Sequence, residues 1–213
     1  MKVIPVLNCP DVECVRQKIE VAKTFLTPGD LLHLDVTDGS FSTHKTWAEP
    51  LEWAKLQCPF GLEVHLMVEQ PEQYVDDWLT AGARRLIVHA ERIGRESIHQ
   101  ILAAAKARNA EVMLSSLPGS ESEDILPYAK HFHAFQVLAV QPGPSGQDYL
   151  SFVDEKIRFL REEFPNATIE VDGGMGPLTV WRVKELGADT VTSESYIFDS
   201  PDPKKAYDEL CAI

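Results

Sequence analysis

Two histidines and two aspartates occupy short apolar runs of this sequence. His33 and Asp35 lie in LLHLDVTDGSF, His65 lies in LEVHLMV, and Asp172 lies in IEVDGGMGP. Alternate residues of a strand share one face, so His33 and Asp35 point the same way. Two imidazoles and two carboxylates that converge on one point suit a divalent ion such as zinc, manganese, iron or cobalt. We therefore expect a joint metal or catalytic role for these four residues.

Glycine-rich turns form a second chemical signal. The segment VQPGPSGQ covers residues 140–147, and Gly173 and Gly174 follow Asp172 directly. Exposed backbone N–H groups in such turns, with helix N-termini behind them, bind anions. The turns therefore predict an anion pocket beside the four ligand residues.

Eight short apolar runs alternate with longer segments of helical pattern. The predicted strands are Val3–Leu7, Leu31–Val36, Leu62–Met67, Arg85–His89, Glu111–Ser115, Ala134–Val140, Thr168–Val171 and Thr190–Ser193. The predicted helices cover 11–26, 47–57, 71–81, 95–108, 121–130, 148–163, 177–186 and 202–211. Eight strand-then-helix units favour a closed α/β (β/α)₈ (TIM) barrel, with residues 1–213 as one domain and the site at the carboxyl ends of the strands. An open doubly wound sheet is the alternative.

Charge and composition restrict the classes of partner. The formal net charge of −13 argues against nucleic-acid binding and against attachment to anionic membranes. The first residues lack a signal-peptide pattern, and no run approaches the length of a membrane span. The four cysteines form no CxxC pair, which favours reduced thiols and a cytoplasmic location.

The motifs resemble those of the ribulose-phosphate 3-epimerase family. They run in family order from IPVL at 4–7 through HLDVTDGSF, EVHLMV, QPGPSGQ and EVDGGMGP to SESYIF, over nearly the whole chain. The resemblance implies an isomerase with the barrel fold and one divalent metal. It implies inversion of C3 in the pentose phosphate pathway, between D-ribulose 5-phosphate and D-xylulose 5-phosphate.

The resemblance also assigns roles to residues. It implies His33, Asp35, His65 and Asp172 as metal ligands, with Asp35 and Asp172 as the two acid/base groups. Two carboxylates on opposite faces can remove and return the C3 proton, while a metal stabilises the enediolate. The implied substrate contacts are His33, His65, Met67, Gly143, Pro144, Ser145, Gly146, Gly173, Gly174, Glu194 and Ser195. The family also implies association of like subunits.

Among the departures from the family pattern, four bear on the identity of the substrate. Val6 replaces a serine, Thr37 and Leu138 replace methionines, and Glu194 replaces the glycine of a Ser-Gly-Ser phosphate element. A carboxylate about 4 Å from a phosphate costs about 4 kcal/mol per charge pair at an effective dielectric constant near 20. Glu194 therefore either disfavours phosphate or points to solvent and offers only its N–H.

Three functions remain open from the sequence. The first is epimerisation of D-ribulose 5-phosphate, which the complete four-residue set favours. The second is the same reaction on another ketose, with or without a phosphate group, which the four departures favour. The third is a non-catalytic binding protein on the same scaffold. Among the other histidines, we expect His44 on the surface. His89 ends the fourth strand, where it could line the barrel mouth, and we expect no direct catalytic role for it.

Overall fold

Eight parallel strands pair in chain order, and the last pairs with the first to close a barrel. The computed structural model describes all residues, 1–213. The strands are β1 (Lys2–Leu7), β2 (Leu31–Thr37), β3 (Gly61–Met67), β4 (Ala83–His89), β5 (Glu111–Ser116), β6 (Ala134–Leu138), β7 (Thr168–Asp172) and β8 (Thr190–Ser193). The predicted (β/α)₈ fold class is confirmed, and closure between β1 and β8 rules out the open sheet.

Helices follow the strands and cover the outside of the barrel. They are α1 (Val12–Ala22), α2 (Pro50–Trp53), α3 (Glu72–Thr80), α4 (Arg95–Ala107), α5 (Leu126–Ala129), α6 (Asp154–Glu163), α7 (Pro177–Glu185), α8 (Ser195–Phe198) and α9 (Pro203–Cys211). Asp11 begins α1, because its carboxylate accepts a hydrogen bond of 2.9 Å from the backbone N–H of Cys14. No helix has the combined length and apolar character that crossing a membrane requires.

Four predicted helices, α1 among them, are shorter in the structure by more than two residues, and one helix was not predicted. The segment 47–57 contains the single turn α2 and a 3₁₀ turn at Ala54–Leu56, and α2 begins at Pro50 because proline is restricted to the first turn of a helix. The segment 121–130 likewise ends in the single turn α5, after a 3₁₀ turn. Helix α6 begins late, because the N–H of Leu150 bonds to the carbonyl of Ala139 at 2.9 Å. The unpredicted α8 follows β8 directly.

The apolar core lies between the barrel and the helices. In β2, Leu32, Leu34 and Val36 are buried against this layer, whereas the intervening residues face the barrel interior. Trp78 of α3 is fully buried in the same layer, as expected of a core tryptophan. Burial of each large apolar side chain contributes about 1.5–3 kcal/mol. This layer fixes the direction of the strands and leaves the interior for polar side chains.

The expectation of four reduced thiols is wrong for one pair. Cys9 and Cys14 form a disulfide with 5.6 Å between their Cα atoms, while Cys58 and Cys211 are free. Cys9 follows β1 and Cys14 lies in the first turn of α1, so the strand-to-helix turn brings them together. The two cysteines are five residues apart, so the CxxC motif does not describe them, and only the fold of the turn brings their side chains together.

Candidate active site

Strand register brings the four predicted ligand residues together at the carboxyl end of the barrel. Asp35 of β2 pairs directly with His65 of β3, and Asp172 is the last residue of β7. The Nδ1 atom of His65 lies 3.4 Å from Oδ1 of Asp35 and 3.2 Å from Oδ2 of Asp172. Nε2 of His33 lies 3.2 Å from Oδ1 of Asp35. One ligand atom from each residue lies within 4.8 Å of the others.

These four residues fit a divalent cation. Nδ1 of His65 is buried and has no hydrogen-bond partner, although it lies between the two aspartates. A buried polar atom without a partner costs about 1–3 kcal/mol, and coordination to a cation would remove that cost. Two imidazole nitrogens and two carboxylates form a donor set that zinc, iron, manganese and cobalt all accept.

The imidazoles and carboxylates of the cluster stabilise one another's charged forms. Burial disfavours the charged form of His33, but hydrogen bonds to Asp35 and Glu63 outweigh it and raise the His33 pKa well above its ordinary value. Burial also opposes ionisation of Asp35, yet the hydrogen bond with His33 and the adjacent imidazole of His65 hold the pKa of this carboxyl far below its usual range. Asp35 is therefore an ionised carboxylate, ready to bind a cation or accept a proton.

A charged network forms the floor of the site inside the barrel. Nδ1 of His33 lies 2.7 Å from Oε1 of Glu63, whose other oxygen accepts a bond of 2.6 Å from Nη1 of Arg85. Arg85 also bonds to Glu111 at the opposite end of the barrel, at 2.6 Å. Glu170 completes the network, with Oε2 3.5 Å from Nη1 of Arg85. Burial, followed by the charge of Glu63, raises the pKa of Glu170 to about 8.

Glu63 and Glu170 were not among the predicted site residues, although the sequence carries a signal for them. Glu63 precedes His65 by two residues, and Glu170 precedes Asp172 by two. The same alternation that places His33 and Asp35 on one face places these glutamates on the inner face as well.

His89 lies behind His65 and does not line the barrel mouth. Its side chain is fully buried, and its Nε2 lies 2.8 Å from Nε2 of His65. On the other side, Nδ1 of His89 faces Oε2 of Glu91 at 3.5 Å. Glu91 is itself held by the backbone N–H of Leu117, which donates to Oε1 at 2.9 Å. His89 therefore contacts a ligand residue and does not reach the pocket.

Polar groups orient both aspartates from the pocket side. Asn8 donates from Nδ2 to Oδ2 of Asp35 at 2.8 Å, and its Oδ1 lies 2.9 Å from Nε2 of His44. The hydroxyl of Thr192 donates to Oδ1 of Asp172. His44 is half-buried and acts on Asp35 through Asn8, a contact that the sequence did not indicate.

A pocket opens above the two aspartates. Nine of the predicted substrate residues line it, namely Met67, Gly143, Pro144, Ser145, Gly146, Gly173, Gly174, Glu194 and Ser195. The predicted contacts His33 and His65 are fully buried and are absent from the lining. Only Asp35 and Asp172 of the ligand set therefore open into the pocket.

Gly174 has a backbone that other residues cannot adopt without strain. Its φ is +71°, and a Cβ there would lie 2.5 Å from the backbone nitrogen of Tyr149. The neighbouring loop is fixed by Gln147, whose Nε2 donates to the carbonyl of Gln141 at 2.7 Å and to that of Pro144 at 2.9 Å. The two glycine turns thus meet in a defined arrangement on one side of the pocket.

Glu194 lies in the pocket wall, and its charge is paired. Its carboxylate forms an ion pair with Nζ of Lys18, a residue of α1. The Glu194 side chain is 10 % exposed and that of Lys18 is 18 % exposed. Glu194 therefore neither points freely into solvent nor presents an uncompensated charge.

Comparison with known proteins identifies the family of this chain. The model of the ribulose-phosphate 3 epimerase family matches residues 3–198. The chain belongs to this family. The cytoplasmic isoform of ribulose-phosphate 3-epimerase from Oryza sativa subsp. japonica is 31% identical over 185 residues, which cover 85% of this chain and 81% of the relative. The ribulose-phosphate 3-epimerase of Aquifex aeolicus is 32% identical over 206 residues, covering 93% and 90%.

Solved structures share the fold of this family member at lower identity. A crystal structure of 3-hexulose-6-phosphate synthase superposes with a TM-score of 0.71 at 20% identity, covering 100% of this chain and 99% of that chain. At this identity the likeness concerns the barrel alone.

The departures from the family motifs do not all reach the pocket. Val6, Leu138 and Glu194 line it, whereas Thr37 does not. The hydroxyl of Thr37 donates to the carbonyl of His44 at 3.0 Å, within the loop after β2. Three of the four departures can therefore affect which ligand this member binds, and Thr37 supports the loop that carries His44.

Proposed function

We propose that this chain is an isomerase that inverts C3 of D-ribulose 5-phosphate to give D-xylulose 5-phosphate. Family membership supports the reaction class, and the names of the relatives supply the substrate. The observation that carries the proposal is that Asp35 and Asp172 flank Nδ1 of His65 and open into one pocket. Epimerisation needs two proton-transfer groups on opposite faces of one carbon, and this pair provides two.

The proposed chemistry breaks one C3–H bond and forms another on the opposite face. The C3 proton is acidic because C3 is next to the C2 carbonyl. One aspartate takes the proton and leaves an enediolate, and the other aspartate returns a proton to the opposite face. Asn8 and His33 hold Asp35, while Thr192 holds Asp172, so each carboxylate keeps a fixed direction towards C3.

A divalent cation would be held by His33, Asp35, His65 and Asp172, and it would supply Lewis-acid stabilisation of the enediolate charge. Met67, Val6 and Leu138 form an apolar wall for the carbon skeleton. The glycine turns at Gly146 and Gly174 present backbone N–H groups to the phosphate.

Solvent isotope exchange tests the two-aspartate mechanism. The Asp35→Asn and Asp172→Asn variants are each incubated in D₂O with D-ribulose 5-phosphate and with D-xylulose 5-phosphate. Epimerisation should fall by about 10²–10⁴-fold in both variants. Each variant should still exchange the C3 hydrogen of the one epimer that its remaining carboxylate faces. NMR measures this exchange, and Asp76→Asn on exposed α3 is the control.

The result separates the alternatives. Loss of epimerisation in both variants, with opposite exchange preferences, supports the proposal. Full activity in either variant contradicts it. A wild-type protein that binds metal but turns over neither epimer would favour a non-catalytic protein.

A second candidate is the same reaction on an unphosphorylated ketose. The charged side chains in the pocket lining are all acids, namely Asp35, Asp172 and Glu194. Such a lining favours a neutral sugar over a dianion unless other charges compensate. Comparing kcat/KM for D-ribulose 5-phosphate and for D-ribulose decides between the two substrates.

A further inference from the structure

We infer that Lys18 is a specificity-determining residue, because it neutralises Glu194 and so allows the pocket to accept a phosphate group. Lys18 is outside the lining, on a helix that otherwise covers the barrel. The inference rests on the proposed function for the identity of the anion. On this inference, the ion pair between Lys18 and Glu194 determines whether the protein prefers a phosphorylated or an unphosphorylated sugar.

The charges around the pocket create the need for such a residue. Its lining contains three carboxylates and no lysine, arginine or histidine. Asp35 and Asp172 belong to the cation-binding cluster, so a cation there would offset their charge. Glu194 is not a member of that cluster, and it lines the same pocket as Gly146 and Gly174. Its charge must be offset locally if a phosphate is to bind at the glycine turns.

Lys18 supplies this local offset. Its Nζ pairs with Oε1 of Glu194, and both side chains are largely withdrawn from solvent. Salt screens such a pair much less than it screens exposed charges, so the compensation persists at physiological ionic strength. Nζ also lies 5.3 Å from the centroid of the Phe198 ring, where a cation–π contact holds the ammonium beside α8.

Substitution of Lys18 and substitution of Glu194 should therefore have unequal effects on phosphate binding. Removal of Lys18 leaves an uncompensated carboxylate in the wall and disfavours phosphate. Removal of the Glu194 charge leaves the lysine cation and does not disfavour phosphate. A pair that only fixed α1 to the β8–α8 turn would give the same loss from either side.

A double-mutant cycle tests the inference with inorganic phosphate as the probe. Isothermal titration calorimetry compares the wild type with Lys18→Met, Glu194→Gln and the double variant, with Lys18→Arg as the conservative control. We expect Lys18→Met to weaken phosphate binding at least tenfold. Glu194→Gln should strengthen it at least threefold, because the lysine cation is then uncompensated. Lys18→Arg should change it by less than threefold, and the double variant should return to within threefold of the wild type.

Steady-state kinetics provide the second measurement. Lys18→Met should raise KM for D-ribulose 5-phosphate at least tenfold, leave its kcat within threefold, and leave kcat/KM for D-ribulose unchanged. Equal phosphate affinity in Lys18→Met and the wild type overturns the inference, as does a double variant as weak as Lys18→Met. Failure of the wild type to bind phosphate overturns it too. A wild type that shows the phosphate coupling but epimerises neither phosphorylated sugar overturns the proposed function alone.

Discussion

The imidazole rings of His65 and His89 are stacked, with centroids 5.0 Å apart and an angle of 12° between their planes. Their Nε2 atoms are within hydrogen-bond distance, so one of them carries the proton. Nδ1 of His65 must be free of a proton to bind a cation, which places the proton of His65 on Nε2. Nε2 of His89 then accepts the hydrogen bond from His65, and the N–H at Nδ1 of His89 points towards Glu91.

Loss of the acceptor on His89 should weaken metal binding. We expect His89→Phe to keep the ring stacking but to lower zinc affinity by about 10–100-fold, because the second partner of a ligand histidine fixes its tautomer and orientation. Competition with a chromophoric chelator measures this affinity. The matched control is His133→Phe, at an exposed site before β6. Equal zinc affinity in the two variants would falsify this role for His89.

Above pH 6.5 the metal-free protein should lose stability as the pH rises. Below pH 6.5, His89 acts in the opposite direction, because burial lowers its pKa to about 4. Glu170 has a pKa of about 8 in the folded protein against an ordinary value of 4.5, so the folded state favours its protonated form. Its contribution is present below pH 4.5 and is lost as the pH rises towards 8. The raised pKa of His33 acts in the same direction, because its contribution is full below 6.5 and is lost above its folded pKa.

Urea unfolding in the presence of a chelator, from pH 5 to pH 9, checks this prediction. Glu170→Gln cannot ionise and should show a smaller fall in the free energy of unfolding across this range. Glu162→Gln, on the exposed side of α6, is the control and should follow the wild type. If the free energy of unfolding has the same pH dependence in the wild type and in Glu170→Gln, ionisation of Glu170 does not cause the fall.

Substitution at Gly174 should damage both folding and anion binding. Gly174→Ala places a Cβ against the backbone of Tyr149 at a φ of +71°. Gly82 has a φ of +100°, but a Cβ at this residue would have no atom within 4 Å, so Gly82→Ala suffers backbone strain alone. We expect Gly82→Ala to cost about 1–2 kcal/mol of stability. Gly174→Ala should cost more and should also weaken binding of inorganic phosphate.

Thiol counting checks the disulfide. Alkylation of the unfolded, unreduced chain should modify two cysteines, Cys58 and Cys211, and prior reduction should raise the number to four. Cys14→Ser opens a short loop and should lower the free energy of unfolding by about 2 kcal/mol. Cys58→Ser is the control. Modification of all four cysteines without reduction would contradict the disulfide.

Much of the fold follows from local sequence pattern. The strand Thr190–Ser193 has the bounds that its sequence predicts, because Gly187 separates it from the preceding helix and its residues are mostly β-branched. The segment 47–57 is different, since Pro50 and the loop contacts of Trp47 decide how little of it is helical. Such tertiary contacts are not visible in helical periodicity.

The site likewise has one part that the sequence predicts and one part that only the structure shows. Strand alternation and parallel packing suffice to group His33, Asp35, His65 and Asp172. The contact between Lys18 and Glu194 joins residues 176 positions apart, and it exists only because β8 pairs with β1. No spacing rule relates two such positions. Only the structure of the closed barrel therefore shows that Lys18 neutralises the charge of Glu194.

The network on the barrel floor has a consequence for how this protein can evolve. Glu63, Arg85 and Glu170 share buried charge, and loss of one partner leaves another uncompensated. Single changes at these positions should be selected against, whereas joint replacement by apolar residues of similar volume should be tolerated. Positions 63, 85 and 170 should therefore covary among homologues, and the effect of substituting one should depend on which residues occupy the other two.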